Sequence, residues 1–360
     1  MSGINRVRQE LHELAELSGN EIKTSSYILS YISKNKPDLI LQDESKCGLI
    51  ALFKNSPDKS FIAFRADIDA IPFNNQAEHL CGHDGHTAIL LGLSDFLKNR
   101  EFFKENIVLI FQPSEETGQG ALKMLKLLES NHIMVEKIYG FHNLPGFKEN
   151  DIIIKNNTFA CASNGLKVSF KGILSHASEP EKGNNPVQAF NRLIAYVIEL
   201  NRQAPVEDYY LITTVYAKLG DLNFGISPDQ AVLGFTIRSA FSSDLDIIND
   251  LIINYSRLLA VEYGLEFSYE LIDEFPDTVN DSDLLMQFKS LLAANRIDFH
   301  EIEEAFRWSE DFGHYLNHYP GVFFGIGSGT DHPNLHNPKY QFNDMIIEKA
   351  ISVLRILIDN

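Results

Sequence analysis

The chain of 360 residues predicts an α/β fold: an α/β/α domain with a mixed sheet, interrupted by an inserted ferredoxin-like α+β domain. Three observations lead there. Single cores seldom grow past ~250–300 residues, so this length favours two domains. Both ends of the chain alternate short apolar runs with helical patterns, as α/β proteins do. The middle instead follows a β-α-β-β-α-β order, the ferredoxin-like arrangement.

The elements follow in chain order. Ile4, Val7, Leu11, Leu14 and Leu17 recur at helical spacing, and Ser18-Gly19-Asn20 supplies a stop, so the first helix is expected over 4–18. A second helix is expected over 21–33. β-like runs then occur at 49–53, 60–64, 107–111 and 137–141, with a helix over 87–99 among them. The pattern changes near residue 164: a strand at 165–170, a helix at 185–203, strands at 209–219 and 230–238, a helix at 246–263 and a strand at 266–271. Helix–strand alternation resumes with helices at 281–294 and 309–317, a strand at 322–327 and a last helix from Ile346. The expected division is 1–163 plus 275–360 as one α/β domain and 164–274 as a domain inserted into it.

Composition narrows the function. With 44% hydrophobic and 22% charged residues the chain resembles an average globular protein. A formal charge of −18, with no Lys/Arg-rich run, opposes a nucleic-acid partner. Cys47, Cys81 and Cys161 are odd in number and without paired spacing, which favours free thiols and a cytoplasmic location. The first twelve residues carry charges where a signal peptide needs an apolar core, and no apolar run is long enough to span a bilayer, so no membrane partner is expected.

The stretch His79-Leu-Cys-Gly-His-Asp-Gly-His86 packs three imidazoles, a thiol and a carboxylate into eight residues. A thiolate and a neutral imidazole are good zinc donors, and Gly82 lets Cys81 and His83 turn toward one ion. His79 and His86 are weaker candidates. Asp67 and Asp69 close an apolar strand, where a carboxylate could bind metal or orient a ligand imidazole, or simply pair with Arg65. Glu115-Glu116 follows another such strand; adjacent carboxylates in a loop project differently, so one can hold metal while its neighbour acts as general base. His142 and His336 each precede a proline-stiffened loop. His176 lies inside the insertion, from which domain closure could bring it to a developing oxyanion. Asp67, Glu115 and His142 all fall beyond the carboxyl ends of apolar runs, the usual site position in open α/β sheets.

Seven ordered motifs carry a resemblance: Arg-Ala-Asp-Ile-Asp-Ala-Ile-Pro at 65–72, Cys-Gly-His-Asp-Gly-His-Thr-Ala at 81–88, Phe-Gln-Pro-Ser-Glu-Glu at 111–116, Gly-Phe-His-Asn-Leu-Pro at 140–145, Ser-His-Ala-Ser-Glu-Pro at 175–180, Ser-Glu-Asp-Phe at 309–312, and Leu-His-Asn-Pro-Lys-Tyr-Gln-Phe-Asn-Asp at 335–344. Together they resemble the metal-dependent amidohydrolases that include hippurate hydrolase, N-acetyl-diaminopimelate deacetylase and auxin-conjugate hydrolases. The resemblance implies two divalent ions per subunit (Zn, Mn, Co or Ni) held by Cys81, His83, Glu116, His142 and His336. It further implies Glu115 as general base and acid, Asp67 as the carboxylate steadying the metals, His176 as oxyanion partner and Arg238 as the arginine for a substrate carboxylate. The implied reaction is hydrolysis of an N-acyl amino acid to a carboxylate and a free amino acid. The implied partners are that small substrate and a second copy of the chain through the insertion. Three alternatives stay open: a dipeptidase or carboxypeptidase of the same fold, a thiol hydrolase using Cys81, and a metal- or ligand-binding protein that keeps the fold without catalysis. Only eight residues, 73–80, separate Pro72 from Cys81 where relatives carry a longer loop, and the first helix lacks the usual His-Pro-Glu. Both departures bear on substrate identity.

Overall fold

The computed structural model describes residues 3–56, 59–99, 101, 103, 105–203 and 205–358. These fall into two compact units: residues 1–159, 278–305 and 310–360 form the first, and 160–277 with 306–309 the second.

The first unit is a mixed α/β structure built on an eight-stranded sheet. Its order is Leu39–Gln42, Leu49–Phe53, Asn106–Gln112, Phe61–Asp67, Val135–Pro145, Gly321–Gly329, Ile152–Ile154, Phe299–Glu301. The four central strands, 106–112, 61–67, 135–145 and 321–329, run parallel to one another. Strands 61–67 and 106–112 are buried along their whole length. Parallel strands covered on both faces read as continuous apolar runs rather than alternations, which is why 107–111 and 60–64 stand out in the sequence. Parallel pairing also sends all four carboxyl ends to one edge of the sheet, so Asp67, the 113–118 loop and His142 converge there.

Helices Gly3–His12, Ile22–Ile32, His83–Leu97 and Ile347–Ile356 contribute buried apolar faces to the same core. Leu90, Leu91 and Leu97 of the third are fully buried, and Ile347, Ala350 and Val353 of the last join them. The first helix stops at His12, six residues short of the periodicity's limit. Segment 13–20 is recruited elsewhere. Glu16 accepts the backbone N–H groups of Lys23 and Thr24 at the start of the next helix, at 2.8 and 2.9 Å, and Leu17, 38% exposed, bridges to Ala70 beside the sheet edge. A carboxylate there satisfies orphan N–H donors and complements the positive end of the helix dipole.

The second unit is a four-stranded antiparallel sheet in the order Tyr210–Leu219, Gln230–Ser239, Ala162–Lys171, Glu266–Phe275. Helices Val187–Gln203 and Ser242–Tyr263 complete a β-α-β-β-α-β chain order. Leu166, Val168 and Phe170 alternate with outward residues and pack against Leu193, Val197, Ile248 and Ile252 of the helices. Strand 210–219 lies at the sheet's edge and leaves Leu211, Val215 and Tyr216 largely exposed.

Candidate metal centre

The helix expected from Thr87 begins four residues earlier, at His83, directly after Gly82 in the left-handed region at φ +99°. That start throws His83 and His86 onto the sheet edge from the helix's first turn. It also turns Asp84 the other way, where its carboxylate takes His12 Nδ1 at 2.7 Å and Arg8 at 3.4 Å and ties the first helix to the third. Burial opposes ionisation of Asp84, yet those partners and His79 hold it down to about 2. Gly82 cannot be replaced without disturbance, because a Cβ there would lie 2.4 Å from Asn143 Oδ1 and 2.5 Å from Tyr340 Oη. Gly82→Ala should therefore lose roughly 2–3 kcal/mol of stability in the metal-free protein, combining an unfavourable φ with a displaced neighbour. Urea unfolding followed by circular dichroism checks this; a loss below ~1 kcal/mol would show that the Asn143 and Tyr340 contacts yield freely.

Cys81, His83, Glu116, His142 and His336 come together in linked groups: Cys81 with His83 and His142, Cys81 with Glu116 and His336, and His83 with Glu115 and Glu116. Within each group the donor atoms all lie within 4.8 Å of one another. His142 Nδ1 donates to the carbonyl of Asn143 at 2.8 Å, which leaves the lone pair on Nε2, 3.5 Å from Cys81 Sγ. His83 Nδ1 donates to the Asp69 carbonyl at 3.0 Å, with the Asp69 carboxylate at 3.2 Å, and its Nε2 makes no hydrogen bond. Glu116 Oε1 is a second buried atom with none. Imidazoles tied at one nitrogen and turned inward by the other are the usual arrangement around a metal ion. His336 has the positive φ of +61°, donates its backbone N–H to Leu80, and sets Nε2 3.5 Å from Glu116 Oε1.

The surrounding charges are arranged around Arg65. This fully buried guanidinium reaches Asp67 at 2.7 Å, Glu310 at 2.8 Å, Asp311 at 2.7 Å and the side-chain Oε1 of Gln112 at 2.8 Å. Asp67 thus pairs with Arg65 and also orients His86 Nδ1 at 2.6 Å; the other ring nitrogen of His86 faces Asn143 Oδ1 at 2.7 Å. With both nitrogens engaged, His86 supports rather than ligates. Burial resists ionisation of Asp67, but His83, His86 and Arg65 hold its carboxyl well below the ordinary range. Glu115 goes the other way: burial, then the charges of Glu310, Glu116 and Asp311, push it well above. Asp311 is pushed up to about 7, chiefly by burial. Four buried carboxyls, Asp67, Glu115, Glu310 and Asp311, gather around one buried arginine, and Asp69 is buried beside His83. That excess of negative charge, with unpartnered donors facing inward, fits divalent cations.

His176 and Arg238 belong to the second unit. His176 is exposed, with Nδ1 2.7 Å from Ser178 Oγ; Arg238 donates to the Arg307 carbonyl at 3.0 Å and to Ser309 Oγ at 3.1 Å. His79 stands outside the donor groups. It is buried, neither ring nitrogen makes a hydrogen bond, and burial takes its imidazole down to about 4. Residue types and spacing alone give no roles to Glu310, Asp311, Gln112, Asn143 and Tyr340. Four motifs of the resemblance contain them, and only the folded chain shows what they touch. All three cysteines are free and buried.

Fold and donor set define a metal-dependent amidohydrolase. The sequence profile of peptidase family M20/M25/M40 matches residues 63–360, and the chain belongs to that family. It is 28% identical over 366 residues to N-acetyldiaminopimelate deacetylase of Listeria monocytogenes serovar 1/2a, covering 97% of this chain and 96% of that protein. It is 29% identical over 359 residues to N-acetyl-L-cysteine deacetylase of Bacillus subtilis, covering 96% and 84%. The solved structure of the Bacillus subtilis YXEP protein, described as a dinuclear metal binding peptidase, superposes with a TM-score of 0.81 at 25% identity, over 99% of this chain and 96% of that one. A protein of methicillin-resistant Staphylococcus aureus shares the fold at a TM-score of 0.87, with 22% identity over 99% of this chain and 95% of its own.

Proposed function

We propose that the protein hydrolyses the amide bond of N-acyl amino acids, N-acetyl amino acids among them, releasing a carboxylate and a free amino acid. The observation that carries this reading is the pairing of Glu116 and Glu115: one carboxylate offers an unpartnered buried oxygen to the donor groups, and its neighbour is held beside them with a raised affinity for protons. Cys81, His83, Glu116, His142 and His336 would hold two divalent ions, whose contribution is to polarise the substrate carbonyl and acidify water. Glu115 takes the proton from the attacking water and returns it to the departing amine, a task for a carboxyl whose affinity for protons is raised. Asp67 keeps its charge and steadies His86 and the donor face. In this reading Arg238 binds the substrate carboxylate, for which a guanidinium fork is suited, and His176 steadies the oxyanion. The edge strand 210–219 of the inserted domain supports pairing with a second copy of the chain.

Deacylase relatives at 28–29% identity support the substrate class. Cys81 suits a ligand better than a free nucleophile: burial and the Glu116 charge push its thiol up, the reverse of an activated thiolate. The experiment is release of free amine from a panel of N-acetyl, N-benzoyl and longer N-acyl amino acids and of dipeptides, with metal-loaded and chelator-stripped protein. Turnover of N-acyl amino acids that falls to background on stripping and returns on adding Zn²⁺ or Mn²⁺ is the expected result. Preference for dipeptides would replace deacylation by peptidase action, and turnover that survives chelation with loss on thiol alkylation would move the chemistry to Cys81.

A further inference from the structure

Ser114, the residue before Glu115, adopts the left-handed conformation at φ +56° and ψ +36°, which an L residue enters only at a cost. Something has to hold it there. Its backbone N–H donates at 2.7 Å to one oxygen of Glu21, a carboxylate with no exposed surface that lies 93 residues away in sequence at the start of the second helix. The same oxygen accepts the N–H of Gly19 at 2.9 Å. On the other side of Glu115, the N–H of Glu116 donates to Asp69 Oδ2 at 3.1 Å, and that oxygen is also held by Ser18 Oγ at 2.7 Å. Both neighbours of Glu115 are thus fastened to buried carboxylates that bind segment 18–21. Asp69 in turn receives His83 Nδ1 through its carbonyl.

We infer that Glu21 is a positioning residue for the general base: by holding Ser114 in the left-handed region it fixes where the Glu115 carboxyl lies relative to the donor groups. This rests on the role proposed for Glu115. Glu21 touches neither substrate nor donor atoms, so its effect falls on turnover and little on substrate affinity. Its second oxygen makes no hydrogen bond. Glutamine can therefore present one oxygen to both N–H groups and place its amide where that oxygen lies, whereas leucine fills the space and presents nothing.

The test compares Glu21→Gln and Glu21→Leu with the parent protein by amide hydrogen exchange at Ser114 in the metal-free state, by metal content after loading, and by kcat and KM on the best N-acyl amino acid. Glu21→Leu is expected to exchange the Ser114 amide at least ~10-fold faster and to lose about 10²-fold in kcat, the scale of an ångström-sized misplacement, with KM within about threefold and metal content unchanged. Glu21→Gln should stay within about threefold of the parent in each. Should the leucine variant not fold, Glu21→Asp serves, since a carboxylate drawn back by one methylene cannot serve both donors; it should show the same exchange and kcat losses. Unchanged Ser114 protection in the leucine or aspartate variant overturns the inference, as does an equal kcat loss in the glutamine variant or a loss confined to KM. A parent protein that hydrolyses no N-acyl amino acid would remove the deacylase reading, and the exchange comparison would still decide whether Glu21 holds the loop.

Discussion

Glu115→Gln should turn over the N-acyl amino acids proposed as substrates about 10²–10⁴-fold more slowly than the parent protein, the usual contribution of a positioned acid–base group, with metal content and KM little changed. The substitution keeps the shape of the side chain. It removes only the capacity to take and return a proton. Glu115 is 6% exposed, and the hydrogen bond its carboxyl accepts from the Asp311 N–H is long at 3.4 Å, so an amide fits the same place without orphaning a strong partner. Stability supplies a second readout of the same environment. An acid whose folded pKa is raised is held less favourably when ionised, so in the metal-free protein the Glu115 charge weakens the fold increasingly as pH rises above the ordinary carboxylate range. Burial and Glu310, Glu116 and Asp311 raise it here, so metal-free Glu115→Gln should be at least as stable as the parent at pH 7 by urea unfolding. Turnover equal to the parent's would remove Glu115 from the reaction, and loss of metal along with turnover would make it a ligand.

Much of the fold is legible because the residues that make it are local in their signals. Buried parallel strands show as unbroken apolar runs, and the helix over Val187–Gln203 shows as a strong apolar stripe with Ala189, Leu193, Val197 and Leu200 inward. The misreadings occur where tertiary demands override periodicity. Leu14 and Leu17 continue the helical spacing of Ile4, Val7 and Leu11, but Glu16 and Ser18 are needed at the next helix and at Asp69. His83 and Asp84 carry no apolar signal, so the first turn of their helix is hidden, although that turn aims the site.

The donor residues are legible for a different reason: Cys81, His83, Glu115 and Glu116 are chemically unusual neighbours in sequence. What supports them is not. Arg65 and Glu310 are 245 residues apart, and neither spacing nor periodicity links them. Ser309-Glu310-Asp311-Phe312 is visible as a motif, yet only the folded chain shows that its two carboxylates neutralise an arginine at the end of a central strand. Glu21 is hidden further still, since a glutamate at a helix start reads as a solvated capping group.

The Arg65 network makes its own expected result. Arg65→Met should cost about 3–5 kcal/mol of stability in the metal-free protein, the scale reported for breaking a buried ion pair from one side. The loss comes less from attraction forfeited than from charge abandoned: Asp67, Glu310 and Asp311 all remain inside, and each is 1% exposed or less. All three have other supports. Asp311 accepts from Gln112 at 2.8 Å and from the Ala121 N–H at 2.9 Å, and Glu310 from the Phe312 N–H at 3.2 Å. Asp67 relies on Arg65 and on His86, so the substitution reaches the donor groups through those two side chains. Arg65→Lys should fall between parent and methionine variant, because one ammonium replaces the charge but cannot span carboxylates that the planar guanidinium reaches through separate nitrogens. Urea unfolding by circular dichroism, run without metal so that bound ions do not mask the difference, gives the order parent, lysine, methionine. A methionine variant within ~1 kcal/mol of the parent would mean that the three carboxyls protonate on folding, at a free energy their burial already tolerates. The same experiment repeated with saturating Zn²⁺ separates two sources of compensation: divalent ions beside Asp67 should recover part of the loss, whereas protonation of Glu310 and Asp311 would leave it unchanged.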